Sequence, residues 1–257
     1  MTQKQKFALH LHRTGDIFKE SILVLSQWNK AGSWLALKEL ILNERLLQKG
    51  TRNTEIAILR EIKRRYISAP DWLPDAACLG QFLSKEISNI VKNQVLFVYA
   101  YHADHLIKFV FDKIIDEIHE GFLVRNATIV NYLTLIGSQN KVSWSQNTLK
   151  KWAVKFKTML RNIGYLNGNY FTKPYIREEA FAFFLLWLFF KTQSIKKSLC
   201  HKAFHPLYLT DEDKRYLLKK GIQKNWWYYT EGGGLVEFIP NFKKIDNWID
   251  ALGQKEF

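Results

Sequence analysis

The sequence predicts a mainly α-helical protein, and three observations carry that prediction. Glycine and proline number only 13 and 5 in 257 residues, too few for the turns of an all-β sandwich. Apolar residues make up 47% of the chain, enough for a real core and too many for a disordered tail. They recur mostly at helical spacing, and only two segments carry hairpin signals.

Arg13 to Trp28 reads as the first helix, with Ile17, Ile22, Leu25 and Trp28 as its apolar spine. Gly32 breaks it, and Ser33 caps a second helix from Trp34 to Leu47. Gly50 ends that one. Thr51-Arg52-Asn53-Thr54 supplies caps for a third helix running to about Ile67, where Ala69-Pro70 stops it. From Asp75 a helical pattern continues through Gly121, interrupted near Asn93. Val124 to Gly137 and Ser145 to Ile163 are the next two helices. Asn167-Gly168 between apolar pairs signals a hairpin. Ala180 to Phe190 is an eleven-residue apolar run, short of the roughly twenty needed to span a bilayer, and reads as a buried helix. A second hairpin is expected from Trp226–Thr230 and Leu235–Ile239 around Gly232-Gly233-Gly234. Of the four aromatics Trp226-Trp227-Tyr228-Tyr229, at least two should pack inward on Ala180–Phe190, because strand neighbours face opposite sides. The start of the chain, where His10 and His12 interrupt Phe7-Ala8-Leu9, shows no secretory signal.

Charge divides the chain into four segments. The net charge of +14 makes an anionic partner the first expectation. Residues 1–68 carry +7 and form a basic N-terminal helical module of helix-turn-helix type; residues 69–123 carry −4 and form an acidic helical hub. Residues 124–177 carry nine basic side chains and no acid, and residues 178–257, a helical module with the terminal hairpin, carry +2. Fifty-four residues without a carboxylate depart from the usual mixing of signs on a surface.

Within 124–177 the helix beginning at Ser145 is sharply two-sided. Leu149, Trp152, Phe156, Met159, Leu160 and Ile163 fall within about 120° of one another at 100° per residue, with Asn147, Lys150, Lys151, Lys157 and Arg161 opposite and Lys155 at the edge. Helix, turn, basic helix and hairpin is the order of a winged helix-turn-helix, whose second helix enters the major groove. Gln146, Asn147, Lys150 and Lys151 would then lie nearest the bases and phosphates, with Lys155, Lys157, Arg161 and Lys173 behind them. The third helix offers a second candidate surface in Arg52, Asn53, Arg60, Lys63 and Arg64, although Glu55 and Glu61 are available as partners for Arg60 and Arg65.

No enzyme signature stands out. Gly232-Gly233-Gly234 is not followed by Lys-Ser/Thr and so is no phosphate-binding loop. Cys200, His201 and His205 lack an evident fourth ligand for zinc. His102 and His105 read as packing or surface histidines, and Asp112, Asp116 and Glu120 as a solvated face. Two cysteines 122 positions apart make no disulfide framework. The expectation is a non-catalytic protein without cofactor or metal, in the cytoplasm.

The segments Gly50–Glu55, Leu59–Tyr66, Gln94–Asp104 and Phe109–Lys113 resemble the BrxA family of BREX phage-defence systems, as do Trp144–Thr148, Leu160–Leu166 and Gly234–Pro240. The resemblance implies a small, mostly helical, cytoplasmic protein that binds double-stranded DNA. It also implies partners encoded in the same operon: a methyltransferase, an ATPase and a phosphatase-like protein. The family offers no catalytic residues to carry over. It has been described as an inner-membrane protein, which the eleven-residue apolar run does not support. An adaptor subunit, an RNA-binding protein or a nuclease built on Asp112 and Asp116 are the competing expectations.

Overall fold

The structure, a computed structural model, describes residues 9–233 and 235–253. The expectations for Met1–Ala8 and for Gly234 lie outside the described residues. The fold is mainly helical, with two small antiparallel hairpins.

The first predicted helix is three short ones: α1 (Leu11–Thr14), α2 (Phe18–Leu25) and α3 (Trp28–Ala31). The break falls at Gly15 and Ile17, with φ of 79° and 52°, and it serves tertiary contacts. The buried Arg65 donates from Nη1 to the Asp16 carbonyl at 3.1 Å, and Asn162 donates to the Asp16 carboxylate at 2.5 Å. Long-range partners override the continuous apolar spine.

Helix α4 (Trp34–Asn43) starts on the Ser33 cap and stops before the predicted Leu47, because Arg45 and Gln48 turn into the left-handed region. Helix α5 (Arg52–Ile62) begins on Thr51, whose Oγ1 accepts from Thr54 N, and ends in a π turn over Lys63–Ile67. The expected hub helix is three helices, α6 (Ala76–Leu83), α7 (Asn89–Ala103) and α8 (His105–Glu117). Asn93 lies inside α7. The breaks are at residues 84–88 and at Asp104, whose carboxylate accepts from Leu106 N and Ile107 N and caps α8.

Helices α9 (Asn126–Gln139) and α10 (Gln146–Ile163) follow, and Gly164 closes α10 with φ of 91°. Strands β1 (Leu166–Asn167) and β2 (Tyr170–Phe171) pair with Leu166 opposite Phe171 and Asn167 opposite Tyr170. The turn residues are therefore Gly168-Asn169, one position later than expected, with Gly168 at φ 61°. That left-handed angle at the first turn position is what a two-residue hairpin asks of glycine. Leu123 bridges Tyr170 on the other side, so the acidic hub lends an edge to this sheet.

The apolar run forms α11 (Glu178–Thr192), in which Ala180–Leu186 are all buried. Helix α12 (Ile195–Leu199), a 3₁₀ turn at Lys202–Leu207 and α13 (Asp211–Gln223) lead to β3 (Trp227–Gly232) and β4 (Leu235–Pro240). Helix α14 (Ile245–Ala251) closes the described chain. Trp226 and Trp227 are buried while Tyr228 is half exposed, and Phe238 meets Phe189 of α11 at 4.7 Å between ring centres. Among the described residues no helix is long and apolar enough to cross a membrane.

Helices α7 and α11 are the axis of the core. Val95–Tyr101 is buried without interruption, and α7 touches α2, α8, α10 and α11. One hydrophobic core draws residues from all four charge segments. Gly221 marks one of its tightest points: an added Cβ would stand 1.9 Å from the Trp227 ring. Gly221→Ala should cost about 1–3 kcal/mol through overpacking, read as a thermal midpoint lowered by roughly 3–10 °C. An unchanged midpoint would mean that Trp227 yields freely.

Candidate nucleic-acid interface

Helix α10 is anchored along one side and open along the other. Leu149, Trp152, Ala153, Phe156, Met159, Leu160 and Ile163 are buried, with Trp152 stacked on Phe156 at 4.8 Å. Gln146, Asn147, Lys150, Lys151, Lys155 and Arg161 are exposed. Its first turn holds no acid, so the positive end of the helix dipole is not neutralised from within. Ser145 Oγ accepts from Thr148 N and lies 2.8 Å from Thr148 Oγ1. The Lys155 stem crosses Gly15, whose added Cβ would sit 3.6 Å from the lysine Cδ.

The predicted cations are not equivalent. Lys150, Lys151 and Lys155 have no ion pair among the described residues. Arg161 donates from Nε to the Gly168 carbonyl at 2.6 Å and from Nη2 to Asn169 Oδ1 at 2.9 Å. It therefore ties the hairpin tip to the open face of α10. Lys157 is buried, and burial followed by the Arg161 charge lowers its pKa. Lys173 is held by Asp213 at 2.6 Å. Two cations outside the expected set, Arg125 at the start of α9 and Lys141 in the turn before α10, are exposed without ion pairs among the described residues. Their signal in the sequence was the missing acid, not a motif.

The N-terminal candidate repeats this register. Thr51-Arg-Asn-Thr54 and Ser145-Gln-Asn-Thr148 carry the same cap, with Thr51 and Thr54 hydroxyls 2.9 Å apart. The buried positions Glu55, Ile58, Leu59, Ile62, Arg65 and Tyr66 match Leu149, Trp152, Ala153, Phe156, Met159 and Leu160 at a constant offset. Arg52, Asn53, Arg60 and Lys63 are exposed. Arg64 is not free: it donates to Glu61 at 2.8 Å, Asp104 at 3.0 Å and the Ala103 carbonyl at 2.9 Å. Glu61 pairs with His10, Arg64 and Arg65, and Glu55 accepts from Lys49 N, so Arg60 has neither glutamate.

The other constellations resolve into packing. Among the described residues no group of three or more His, Cys, Asp and Glu side chains is placed to hold a metal. His201 Nδ1 accepts from Ala203 N and caps the 3₁₀ turn. His102 sits edge-on to Trp72 at 4.7 Å, and burial, with Lys108, His205 and Lys202 nearby, drives its pKa down to about 3. Asp112 takes hydrogen bonds from Tyr101 and Lys108.

The family model for BrxA matches residues 5–185. The protein belongs to the BrxA family. As a BrxA-family member it is a component of BREX phage defence. The match takes in both capped helices, the hub and the first hairpin, and ends within α11. No curated protein and no solved structure matches the chain.

Proposed function

We propose that this BrxA-family chain is a non-catalytic, cytoplasmic double-stranded DNA-binding component of its BREX system. One observation carries the reading: an acid-free segment presents Lys150, Lys151 and Lys155 unpaired on the open face of α10, where Arg161 also draws in the hairpin tip. Helix α8, the Leu123 bridge, α9, α10 and the β1–β2 hairpin follow the order of a winged helix. In such a module the last helix enters the major groove and the hairpin lies along the backbone. In this reading the exposed Gln146 and Asn147 make amide contacts to base edges, adenine above all. The lysines, with Arg125 and Lys141, supply phosphate contacts. The exposed Arg52, Asn53, Arg60 and Lys63 of α5 form a second contact of the same design, from which Arg64 is withdrawn. The methyltransferase, ATPase and phosphatase-like protein of the system are its protein partners.

Competition between duplex DNA and a structured RNA of equal charge tests the reading. Duplex displaces RNA if the major groove of B-form DNA receives α10, because A-form RNA offers a groove too narrow for side chains to read. Preference for RNA, or no shift with either at physiological salt alongside co-purification with the ATPase or methyltransferase, would replace it with a ribonucleoprotein or adaptor role. Magnesium-dependent cleavage lost on replacing Asp112 and Asp116 would make it a nuclease.

A further inference from the structure

The segment that leaves the first hairpin runs extended along α13, and the two are in register. Lys173 meets Asp213 at 2.6 Å, Tyr175 meets Tyr216 with ring centres 6.5 Å apart, and Arg177 and Lys220 occupy the next positions. The steps of two on the extended side and three to four on the helix keep these side chains on one face. Arg177 lies over the Tyr175 ring at 5.0 Å and Lys220 over the Tyr216 ring at 5.4 Å. The result is a row of cation, ring, ring and cation. Tyr175 and Tyr216 are 48% and 46% exposed and set edge to face at 70°, so each ring keeps surface beside its cation that a ligand can reach.

The row is rigidly backed. Gln94 is buried, and its amide donates to the Tyr175 carbonyl at 2.9 Å and accepts from Arg177 N at 3.0 Å. This clamps the backbone on both sides of the buried Ile176. Of the neighbouring acids, Glu178 and Glu179 bind Lys224 at 3.3 and 2.7 Å, and Glu178 also accepts from the Tyr175 hydroxyl at 3.3 Å. Arg177 and Lys220 have no ion pair among the described residues. Half of the row, Tyr216 and Lys220, lies beyond the residues that match the BrxA family.

We propose that Tyr175, Arg177, Tyr216 and Lys220 form a stacking platform for unpaired bases of single-stranded DNA. Exposed rings accept any base by its face, and flanking cations meet the phosphates between bases. The choice of DNA over RNA rests on the duplex-binding reading, while the platform itself does not.

The test uses the full chain and three fluorescent probes: a 12-nucleotide oligo-dT, an oligo-rU of the same length and a 20-base-pair duplex. Tyr175→Ala with Tyr216→Ala should weaken oligo-dT binding by roughly tenfold or more and leave duplex binding within about twofold. Tyr175→Phe with Tyr216→Phe keeps the rings and should bind oligo-dT as the wild type does. Thermal melts of both variants near the wild type confirm intact folds. Absence of oligo-dT binding by the wild type, equal binding by the alanine variant, or equal loss in the phenylalanine variant would overturn the platform. Tighter binding of oligo-rU would overturn the assignment to DNA. If duplex binding is absent while oligo-dT binding depends on the rings, the proposed function falls and the platform stands.

Discussion

Replacing Lys150, Lys151 and Lys155 together with alanine is expected to weaken duplex binding about 100-fold at 0.15 M salt, whatever the DNA sequence. Each phosphate contact contributes about 0.9 to the slope of log affinity against log salt, so losing three removes close to 3 from it. The three side chains are exposed and carry no ion pairs among the described residues, so the fold should survive their loss. Asn147→Ala should behave differently, costing about 1–3 kcal/mol on preferred sites only. A triple variant that binds with wild-type affinity and salt slope would exclude α10 as the reader.

Glu61→Gln is expected to cost about 3–5 kcal/mol, the usual penalty for breaking a buried ion pair from one side. Glu61 receives His10 at 3.0 Å and Arg64 at 2.8 Å, and Arg65 lies 3.7 Å away with no exposed side-chain surface. Without the carboxylate, Arg65 keeps its hydrogen bond to the Asp16 carbonyl and the attraction of the Asp16 carboxylate. Burial alone would raise the Glu61 pKa, but hydrogen bonds from His10 and Arg64 and the charges of Arg64 and Arg65 outweigh it and hold the group at about 2, against an ordinary 4.5. A carboxylate depressed on folding stabilises fully above its unfolded pKa and loses that contribution as pH falls through the folded one. The wild type should therefore lose stability between pH 4.5 and 2 from this group, and the variant should show a shallower decline there. Urea midpoints measured across that range check both statements; equal midpoints for the two proteins at pH 7 would refute the network's role.

Helix identity was legible where one face is buried and the caps are local. Ser33, Thr51 and Ser145 each announce the helix that follows, and the apolar stripe of α10 is the observed buried face. The break at Asp16 was not legible, because its cause lies far away in sequence, in Arg65 and Asn162; the break at Asp104 has a local cause, its cap on Leu106 and Ile107, which the nearly continuous apolar pattern around it masked. The candidate site divides the same way. Periodicity placed Lys150, Lys151 and Lys155 outward, but it could not separate them from Lys157, which the packed helix covers, or from Lys173 and Arg64, which carboxylates from other segments capture. Arg161 looked like one more cation and is a tether, a role set by where the hairpin tip arrives. The hairpin signal was right in kind and off by one residue, since Asn-Gly and Gly-Asn overlap at Gly168.

A salt titration of the wild-type chain on a labelled duplex and its scrambled counterpart examines the central idea, that unpaired lysines facing away from the core meet a phosphate backbone. With six to ten phosphate contacts, affinity for both duplexes should fall by roughly 10³ to 10⁵ between 50 and 200 mM salt. Binding that is flat across that range, or undetectable at its low end, would contradict the account.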